Sequence, residues 1–303
     1  MILIVGGTGT LGRLAIEKLL AQKQAVRVMT RTPARARDLQ AAGVDVVQGD
    51  LRDQKSLVRA CQGVTMVLAS AHSIMGKGSE ASKYVDGQGH KWLIDAAKSA
   101  GVRQFVYVSA LGAAANHAVP FFQIKYEVEQ YLRRSGLPFT ILRPSAFMEY
   151  HAYELVGKPI LESGKVTLFG KGENPRNFVA AVDVAHFAVL ALLRPEASGT
   201  MIEIGGPENL TNMQVVRLYE AIADSPAKVS HVPLAMLRMM SPLLRPFHAG
   251  LSQIMMASIL FDTADQTYDM SAMLRRYPLT LTRLEDWARN HITSDRLFAV
   301  DGV

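Results

Sequence analysis

The sequence is poor in cysteine and has no long apolar run. Its single cysteine, Cys61, cannot form a disulfide within the chain, which favours a reducing compartment. No apolar stretch reaches the roughly 20 residues of a membrane-spanning helix, and the apolar residues 1–5 are too short for a secretory signal. We therefore expect a cytoplasmic protein without a membrane partner. The eight histidines are scattered and do not approach cysteines or carboxylates at metal-ligand spacing, so we expect no metal site.

Acidic residues are fewer than basic residues, 27 against 33, which gives a net charge of +6. The basic residues are spread along the chain without a long run or interleaved aromatic residues, so we expect no nucleic-acid partner. Hydrophobic residues make up 49% of the chain and charged residues 20%, which is enough apolar material for a large core. One local cluster of arginines stands out: Arg27, Arg31, Arg35 and Arg37.

A glycine-rich turn near the start is the most informative motif. Gly6, Gly9 and Gly12 follow an apolar run and lead into a segment with helical apolar periodicity, which predicts a strand, a tight turn and a helix. Such a turn lets the backbone approach a pyrophosphate and directs the positive end of the helix towards it. We therefore predict a dinucleotide site. The residues predicted to contact the cofactor at this turn are Gly6, Thr8, Gly9, Thr10, Leu11 and Gly12.

Strand-like apolar runs alternate with helical patterns over the first part of the chain. The predicted strands are residues 2–5, 25–30, 44–48, 66–69, 104–109 and 139–142. The predicted helices are residues 11–21, 34–41, 54–61, 87–100 and 122–135. This alternation predicts an α/β fold, a Rossmann-type doubly wound parallel sheet covered by helices on both faces.

The regularity weakens after residue 144. A helix over 180–193 and a strand over 201–204 are still predicted, and the last hundred residues are predicted to be mostly helical. We therefore expect a dinucleotide-binding domain over residues 1–206. A smaller helical lobe over residues 207–303 is expected to pack on it and to cover the substrate.

The end of the second predicted strand indicates which cofactor binds. An acidic residue there would bind the ribose hydroxyls of NAD, but this chain has Arg31, which can pair with the 2′-phosphate of NADP. The sequence thus favours NADP over NAD; the alternative is an exposed arginine at a strand end. Asp50, after the third strand, either accepts a hydrogen bond from the adenine or caps the next helix.

Several motifs together resemble the short-chain dehydrogenase/reductase superfamily, and specifically its atypical NmrA-like branch. The resemblance covers about residues 1–206. It is carried by the glycine turn, by Gly49-Asp50-Leu51, by residues 106–109, by Lys125 with Glu129, and by residues 139–144. The resemblance implies that further residues line the cofactor: Leu51, Ala69, Ser70, Ser109 and Lys125.

The resemblance also implies catalysis by a serine after the fifth strand and a Tyr-x-x-x-Lys pair on the next helix. Ser109 and Lys125 match, but Phe121 stands at the tyrosine position and has no exchangeable proton. Three interpretations remain open. Lys125 or another group supplies the proton, or the substrate needs little proton help, or the protein senses NADP(H) without catalysis. Lys125 is also interpreted as a ribose-binding residue only.

Candidate substrate residues follow the later strands, at the edge of the sheet where ligands of such folds bind. They are His72, Phe147 and Tyr150, with an ordinary surface role as the alternative. The methionine-rich residues 232–261 are predicted to cover an apolar or aromatic substrate, the alternatives being core packing or a homodimer contact. The sequence therefore predicts an NADP(H)-dependent reductase, or else an NADP(H)-sensing regulator.

Overall fold

The computed structural model describes the backbone of residues 1–300 and the side-chain surroundings of residues 1–194 and 196–292. The described chain forms two compact units, each assembled from three segments. Unit 1 contains Met1–Pro144, Val184–Glu203 and Ser241–Ile254. Unit 2 contains Ser145–Asp183, Ile204–Met240 and the residues from Met255 onward. Each unit contains residues from both sides of the domain boundary expected after residue 206. The division into two domains at that residue stays a prediction.

The described residues form twelve strands and twelve α-helices. The strands are β1 (Ile2–Val5), β2 (Val26–Thr30), β3 (Asp45–Gln48), β4 (Met66–Ala69), β5 (Gln104–Val108), β6 (Phe139–Pro144), β7 (Ala146–Phe147), β8 (Lys165–Phe169), β9 (Arg176–Val179), β10 (Thr200–Ile204), β11 (Glu208–Leu210) and β12 (Lys228–Val232). The helices are α1 (Thr10–Ala21), α2 (Arg37–Ala41), α3 (Gln54–Cys61), α4 (His90–Ser99), α5 (Pro120–Arg134), α6 (Lys158–Ser163), α7 (Ala181–Leu193), α8 (Asn212–Ala223), α9 (Leu234–Leu244), α10 (Ala249–Thr263), α11 (Ser271–Arg276) and α12 (Leu284–Val300).

Unit 1 is built on a seven-stranded sheet in the order β10-β6-β5-β4-β1-β2-β3. The strands from β3 to β6 pair in parallel, as their continuous apolar sequences predict. The strand order reverses between β1 and β4, and folds of this kind bind ligands in the crevice beyond the strand ends at such a point. The predicted Rossmann-type sheet is confirmed.

One predicted helix of unit 1 has a different start. The sequence predicted a helix over 87–100, but a π-helical turn covers Lys83–Gly89 and α4 begins at His90. Gly89 lies against Leu51, where a Cβ atom would come within 2.8 Å of the Leu51 Cβ. The wide turn and the glycine together let this segment approach the loop that follows β3.

Unit 2 has two small sheets. Strand β9 lies between β11, which is antiparallel to it, and β7, which is parallel, while β8 and β12 form a separate parallel pair. The apolar core of this unit includes Phe178, Val215, Tyr219 and Leu284. The sequence missed β11 and β12 because both are short and partly exposed. No helix in the described part of the chain is long and apolar enough to cross a membrane. The cytoplasmic location stays a prediction.

Candidate functional site

The turn after β1 is held together by two of its glycines. Gly6 has φ +98°, and a Cβ atom there would lie 2.7 Å from the backbone nitrogen of Ala71, in the loop after β4. A Cβ atom at Gly12 would lie 2.3 Å from the Gly6 carbonyl oxygen. Both positions therefore require glycine for the packing of the turn itself.

Gly9 differs from the other two, because neither its backbone nor a close contact within the protein requires glycine. It is the N-cap of α1, with φ −87° and ψ 169°, and a Cβ atom would meet only the Gly6 carbonyl oxygen, at 3.4 Å. No side chain caps the helix there, so the amides of its first turn are available to an anion. The missing side chain leaves room for a group that lies directly on the backbone. This arrangement fits the pyrophosphate of a dinucleotide.

Arg31, after β2, is exposed and is paired with a carboxylate that the sequence did not reveal. Its Nη1 lies 2.7 Å from Oε1 of Glu80, and Nη2 of Arg52 lies 3.7 Å from the same oxygen. Glu80 therefore occupies an anion position between two arginines. A surface pocket of about 260 Å³ adjoins this position, and its lining residues are Arg31, Gln48, Gly49, Asp50, Asp53, Ser56 and Arg59.

Asp50 is held by Arg52, whose Nη2 and Nε donate to its two carboxylate oxygens at 2.6 and 3.0 Å. Hydrogen bonding to Arg52 lowers the pKa of Asp50, so the group is a carboxylate at neutral pH. The interpretation of Asp50 as a helix cap is wrong, because Asp53 caps α3 by accepting from the amide of Lys55 at 3.0 Å. Contact between Asp50 and adenine stays a prediction.

Three further residues predicted at the cofactor lie close to the strand ends. Leu51 and Ala69 are buried, so a ligand would meet their backbone and not their side chains. Ser70 donates from its amide and its hydroxyl to the Val5 carbonyl, at 2.9 and 3.1 Å. These bonds fasten the loop after β4 to the end of β1, beside the glycine turn.

Lys125, on α5, is buried beneath this region, with 3% of its surface exposed. Its Nζ donates to the Val108 carbonyl at 3.1 Å and lies 3.7 Å from Oδ1 of Asp86. Burial lowers the pKa of Lys125, and the Asp86 carboxylate acts in the opposite direction. The ring of Phe121, four residues earlier on α5, has its centroid 5.4 Å from the ammonium. The position of the family tyrosine is therefore beside the lysine, but its hydroxyl is missing.

Three buried polar atoms around Lys125 lack a hydrogen-bond partner among the described residues. They are Oδ1 of Asp86, Nε2 of His90 and the hydroxyl of Tyr107. Burial lowers the pKa of His90 to about 4 and raises that of Tyr107, so both groups are neutral near pH 7. Buried polar atoms are normally paired with protein, water or ligand, so the cluster marks a place built for polar contacts. No spacing pattern in the sequence pointed to Asp86 or His90.

Ser109, the other predicted catalytic residue, is part of a different network. Its hydroxyl donates to Oε1 of the buried Glu129. Arg143 holds the same carboxylate with two bonds, from Nε at 2.9 Å and from Nη2 at 2.6 Å. The proton of Ser109 is thus engaged with Glu129, and the network joins β6 to α5.

The predicted substrate residues belong to different units. His72, in unit 1, is exposed and lies near enough to Lys125 and Asp86 for both charges to act on it. Phe147 and Tyr150 belong to unit 2, where Phe147 ends β7 and Tyr150 is 44% exposed within a π-helical segment. A substrate role for each of the three stays a prediction.

Comparison with known proteins agrees with the predicted family and fold. The sequence model of the NmrA-like family matches residues 1–288. The photosystem II assembly factor Ycf39 of Trieres chinensis is 28% identical, over 94% of this chain and 91% of its own. The NAD(P)H azoreductase of Xenophilus azovorans is 31% identical, over 77% of this chain and 78% of its own.

A solved structure is also similar over nearly the whole chain. The NADPH-dependent quinone oxidoreductase QOR2 of Escherichia coli, in complex with NADPH, has a TM-score of 0.78 and 25% sequence identity. The match covers 96% of this chain and 100% of that chain. The family and the fold predicted from the sequence are thus confirmed.

Proposed function

The chain belongs to the NmrA-like family, and we propose that it is an NADPH-dependent reductase of an apolar or aromatic small molecule. The observation that carries the proposal is the glycine turn, where Gly9 and the uncapped start of α1 face the point at which the strand order reverses. NADP(H) is the cofactor, in agreement with Arg31 and with the NADPH-bound quinone oxidoreductase. When bound, NADPH supplies a hydride.

The residues of unit 1 then have distinct tasks. The amides at the start of α1 bind the pyrophosphate, and Arg31 exchanges Glu80 for the 2′-phosphate. Lys125 provides a buried positive charge for the ribose and for charge that develops on the substrate. Ser109 is a positioning residue that fixes the end of β5 through Glu129 and Arg143.

The missing tyrosine hydroxyl restricts the substrate class. Phe121 cannot transfer a proton, and Lys125 is engaged with Val108 and Asp86. The proposed substrates are therefore electron-poor molecules that accept a hydride readily and take their proton from water. Quinones and azo dyes have this property, and the azoreductase and quinone oxidoreductase relatives carry such substrates in their names. The exposed apolar side chains of Leu243 and Phe247, both in unit 1, support the proposed role of residues 232–261 in binding an apolar molecule.

The proposal is tested by following NADPH consumption with menadione and with methyl red. Lys125→Met should lower kcat/KM by about 10-fold or more, which corresponds to at least about 1.4 kcal/mol of lost transition-state stabilisation. Phe121→Tyr should change it by less than about 3-fold, since the proton comes from water. Lys158→Met, at a partly exposed lysine of α6 that also pairs with a carboxylate, is the matched control. Failure of the native protein to consume NADPH with either acceptor would reject the reductase.

The cofactor assignment has its own test, in which two variants should act in opposite directions. Arg31→Gln should weaken NADPH binding about 10- to 100-fold, because a hydrogen bond between charged groups contributes about 1.5–3 kcal/mol, and should leave NADH binding unchanged. Glu80→Gln should strengthen NADPH binding about 2- to 5-fold by removing a competing surface ion pair. The control is Arg103→Gln, at an exposed arginine that precedes β5 and so lies at the amino ends of the strands, away from Arg31. Equal losses for the two cofactors would remove Arg31 from the site.

A regulator that binds NADP(H) without catalysis is the second candidate. Phe121 favours it, since the usual proton donor is absent, and so does the assembly-factor name of the Ycf39 relative. Such a protein would bind NADPH and NADP⁺ with different affinities but would not turn over either acceptor. Calorimetric titration of both nucleotides, together with the turnover assay, distinguishes the two candidates.

A further inference from the structure

Unit 2 contains a buried cation that has no anionic partner among the residues the structure describes. Arg176 is 5% exposed, and its guanidinium forms no hydrogen bond or ion pair with any of them. Burial lowers the pKa of Arg176 to about 10, so it remains charged near pH 7. Burying a charge without a partner is costly, and such groups are normally paired. Its nitrogens are not fully enclosed by the protein, so a ligand can reach them.

Two aromatic rings lie close to this guanidinium. Its central carbon lies 4.2 Å from the centroid of the Phe261 ring and 5.1 Å from that of Phe178. The rings attract the cation, but they offer its N–H groups no oxygen or nitrogen acceptor. The N–H groups of Arg176 thus remain available to a planar anion.

A half-buried histidine completes the surroundings. The His151 ring is perpendicular to that of Phe261, with the centroids 5.9 Å apart. Burial, followed by the charge of Arg176, lowers the pKa of His151 well below its ordinary value, so it is neutral near pH 7. Because His151 is uncharged, Arg176 is the group that attracts an anion here.

The backbone of Arg176 is fixed on both sides. It is the first residue of β9, opposite Leu210 of β11, and it forms a bridge with Gln266. The next amide, of Asn177, donates to the Gln266 carbonyl at 2.9 Å. The side chain thus projects from a rigid element, which is how preorganised ligand anchors are held.

We propose that Arg176 anchors a binding site in unit 2 for a flat aromatic molecule that carries an oxyanion, either a carboxylate or a phosphate. The oxyanion pairs with the in-plane N–H groups of Arg176, which match its geometry. The aromatic part of the ligand contacts the apolar surroundings provided by Phe261 and His151. The site is defined by residues of unit 2 and does not depend on the proposed reductase activity.

The test uses the full-length protein without nucleotide, and four probes: benzoate, phenyl phosphate, the uncharged benzamide and inorganic phosphate. Calorimetry should show binding of benzoate or phenyl phosphate at least about 10-fold tighter than binding of benzamide, which lacks the charge. Arg176→Met should remove that preference, whereas Arg176→Lys should keep part of it. Arg217→Met, at an exposed arginine of α8, should bind as the native protein does.

Thermal unfolding without ligand separates an anchor from a structural arginine. Because the native charge is unpaired, Arg176→Met should unfold at the same temperature as the native protein or higher. Equal binding of benzoate and benzamide by the native protein would overturn the proposal. So would unchanged benzoate and phenyl phosphate binding in Arg176→Met. If Arg176→Met does not fold, the comparison of benzoate with benzamide and the Arg176→Lys variant still decide the question. If the native protein binds benzoate but does not consume NADPH with menadione or methyl red, the reductase is rejected and the Arg176 site is retained.

Discussion

Replacing Asp86 by asparagine separates the charge of this residue from its shape. Asp86 is fully buried, with Oδ1 3.7 Å from Nζ of Lys125 and Oδ2 accepting from the Ser73 amide at 2.9 Å. Asparagine keeps a similar volume and an oxygen for Ser73, but it removes the negative charge that faces Lys125. Asp86→Asn therefore measures what the buried ion pair contributes to folding.

The size of the effect follows from the distance. Two unit charges about 4 Å apart attract each other by about 4 kcal/mol at an effective dielectric constant of about 20. Removing one partner of a buried pair typically costs about 3–5 kcal/mol, because the other charge is left uncompensated. We expect Asp86→Asn to lower the free energy of unfolding by about 3 kcal/mol. Lys125→Met should cost a similar amount, and the double variant should lose at least about 2 kcal/mol less than the sum.

The pH dependence gives a second readout with a definite sign. The pKa of Lys125 is lower in the folded protein than the ordinary value of 10.5, so the unfolded chain binds this proton more tightly. Stability therefore rises as the pH increases from the folded-state pKa towards 10.5. Without the Asp86 carboxylate the folded-state pKa falls further, and in Asp86→Asn the rise should begin at a lower pH.

Urea unfolding of the native protein, both single variants and the double variant measures the coupling. The series is run near pH 7 and repeated at higher pH, up to the ordinary lysine pKa of 10.5, so that the rise in stability can be followed. A coupling energy below about 0.5 kcal/mol would refute the reasoning, since distant independent sites show deviations of that size. An Asp86→Asn protein with the native pH profile would refute it as well.

Two further predictions concern the glycine turn and the buried histidine. Gly9→Ala should weaken NADPH binding about 10-fold or more, while changing the unfolding free energy by less than about 1 kcal/mol. Gly12→Ala should instead destabilise the fold by about 1–3 kcal/mol, because its Cβ atom would clash with the Gly6 carbonyl. Calorimetric titration with NADPH and urea unfolding of both variants check these two expectations. The pKa of His90 falls from 6.5 to about 4 on folding, so the native protein should lose up to about 3 kcal/mol of stability between about pH 6.5 and pH 4. His90→Phe should flatten this profile in urea unfolding, and an unchanged slope would assign the acid sensitivity to other groups.

Local sequence patterns predicted the parts of the molecule whose contacts are close along the chain. The turn at Gly6 and Gly12 and the alternation of strands and helices are such features, because turn chemistry and side-chain periodicity act over a few residues. The parallel pairing of the first six strands follows from the same pattern, since parallel neighbours need crossover connections such as helices. The placement of Arg31 at the end of β2 was therefore predictable as well.

Pairing between distant segments was not predictable in this way. Glu80 reaches Arg31 only because the loop after β4 folds back towards the end of β2, and its sequence gave no sign of that contact. Asp86 looked like one carboxylate among 27 acidic residues until the π-helical turn buried it against Lys125. Ser109 matched a catalytic pattern, but in the folded chain its hydroxyl donates a hydrogen bond to Glu129.

The sequence by itself determined the family, the strand–turn–helix that suits a pyrophosphate, and the loss of the tyrosine hydroxyl at Phe121. Each of these depends on residue identity and on spacing along the chain. The tertiary structure decided which charges are buried and which are paired: Lys125 with Asp86, Arg31 with Glu80, and Arg176 without an anion among the described residues. Burial and pairing depend on distances through space, which set desolvation and Coulomb energies and are not contained in the local order of residues.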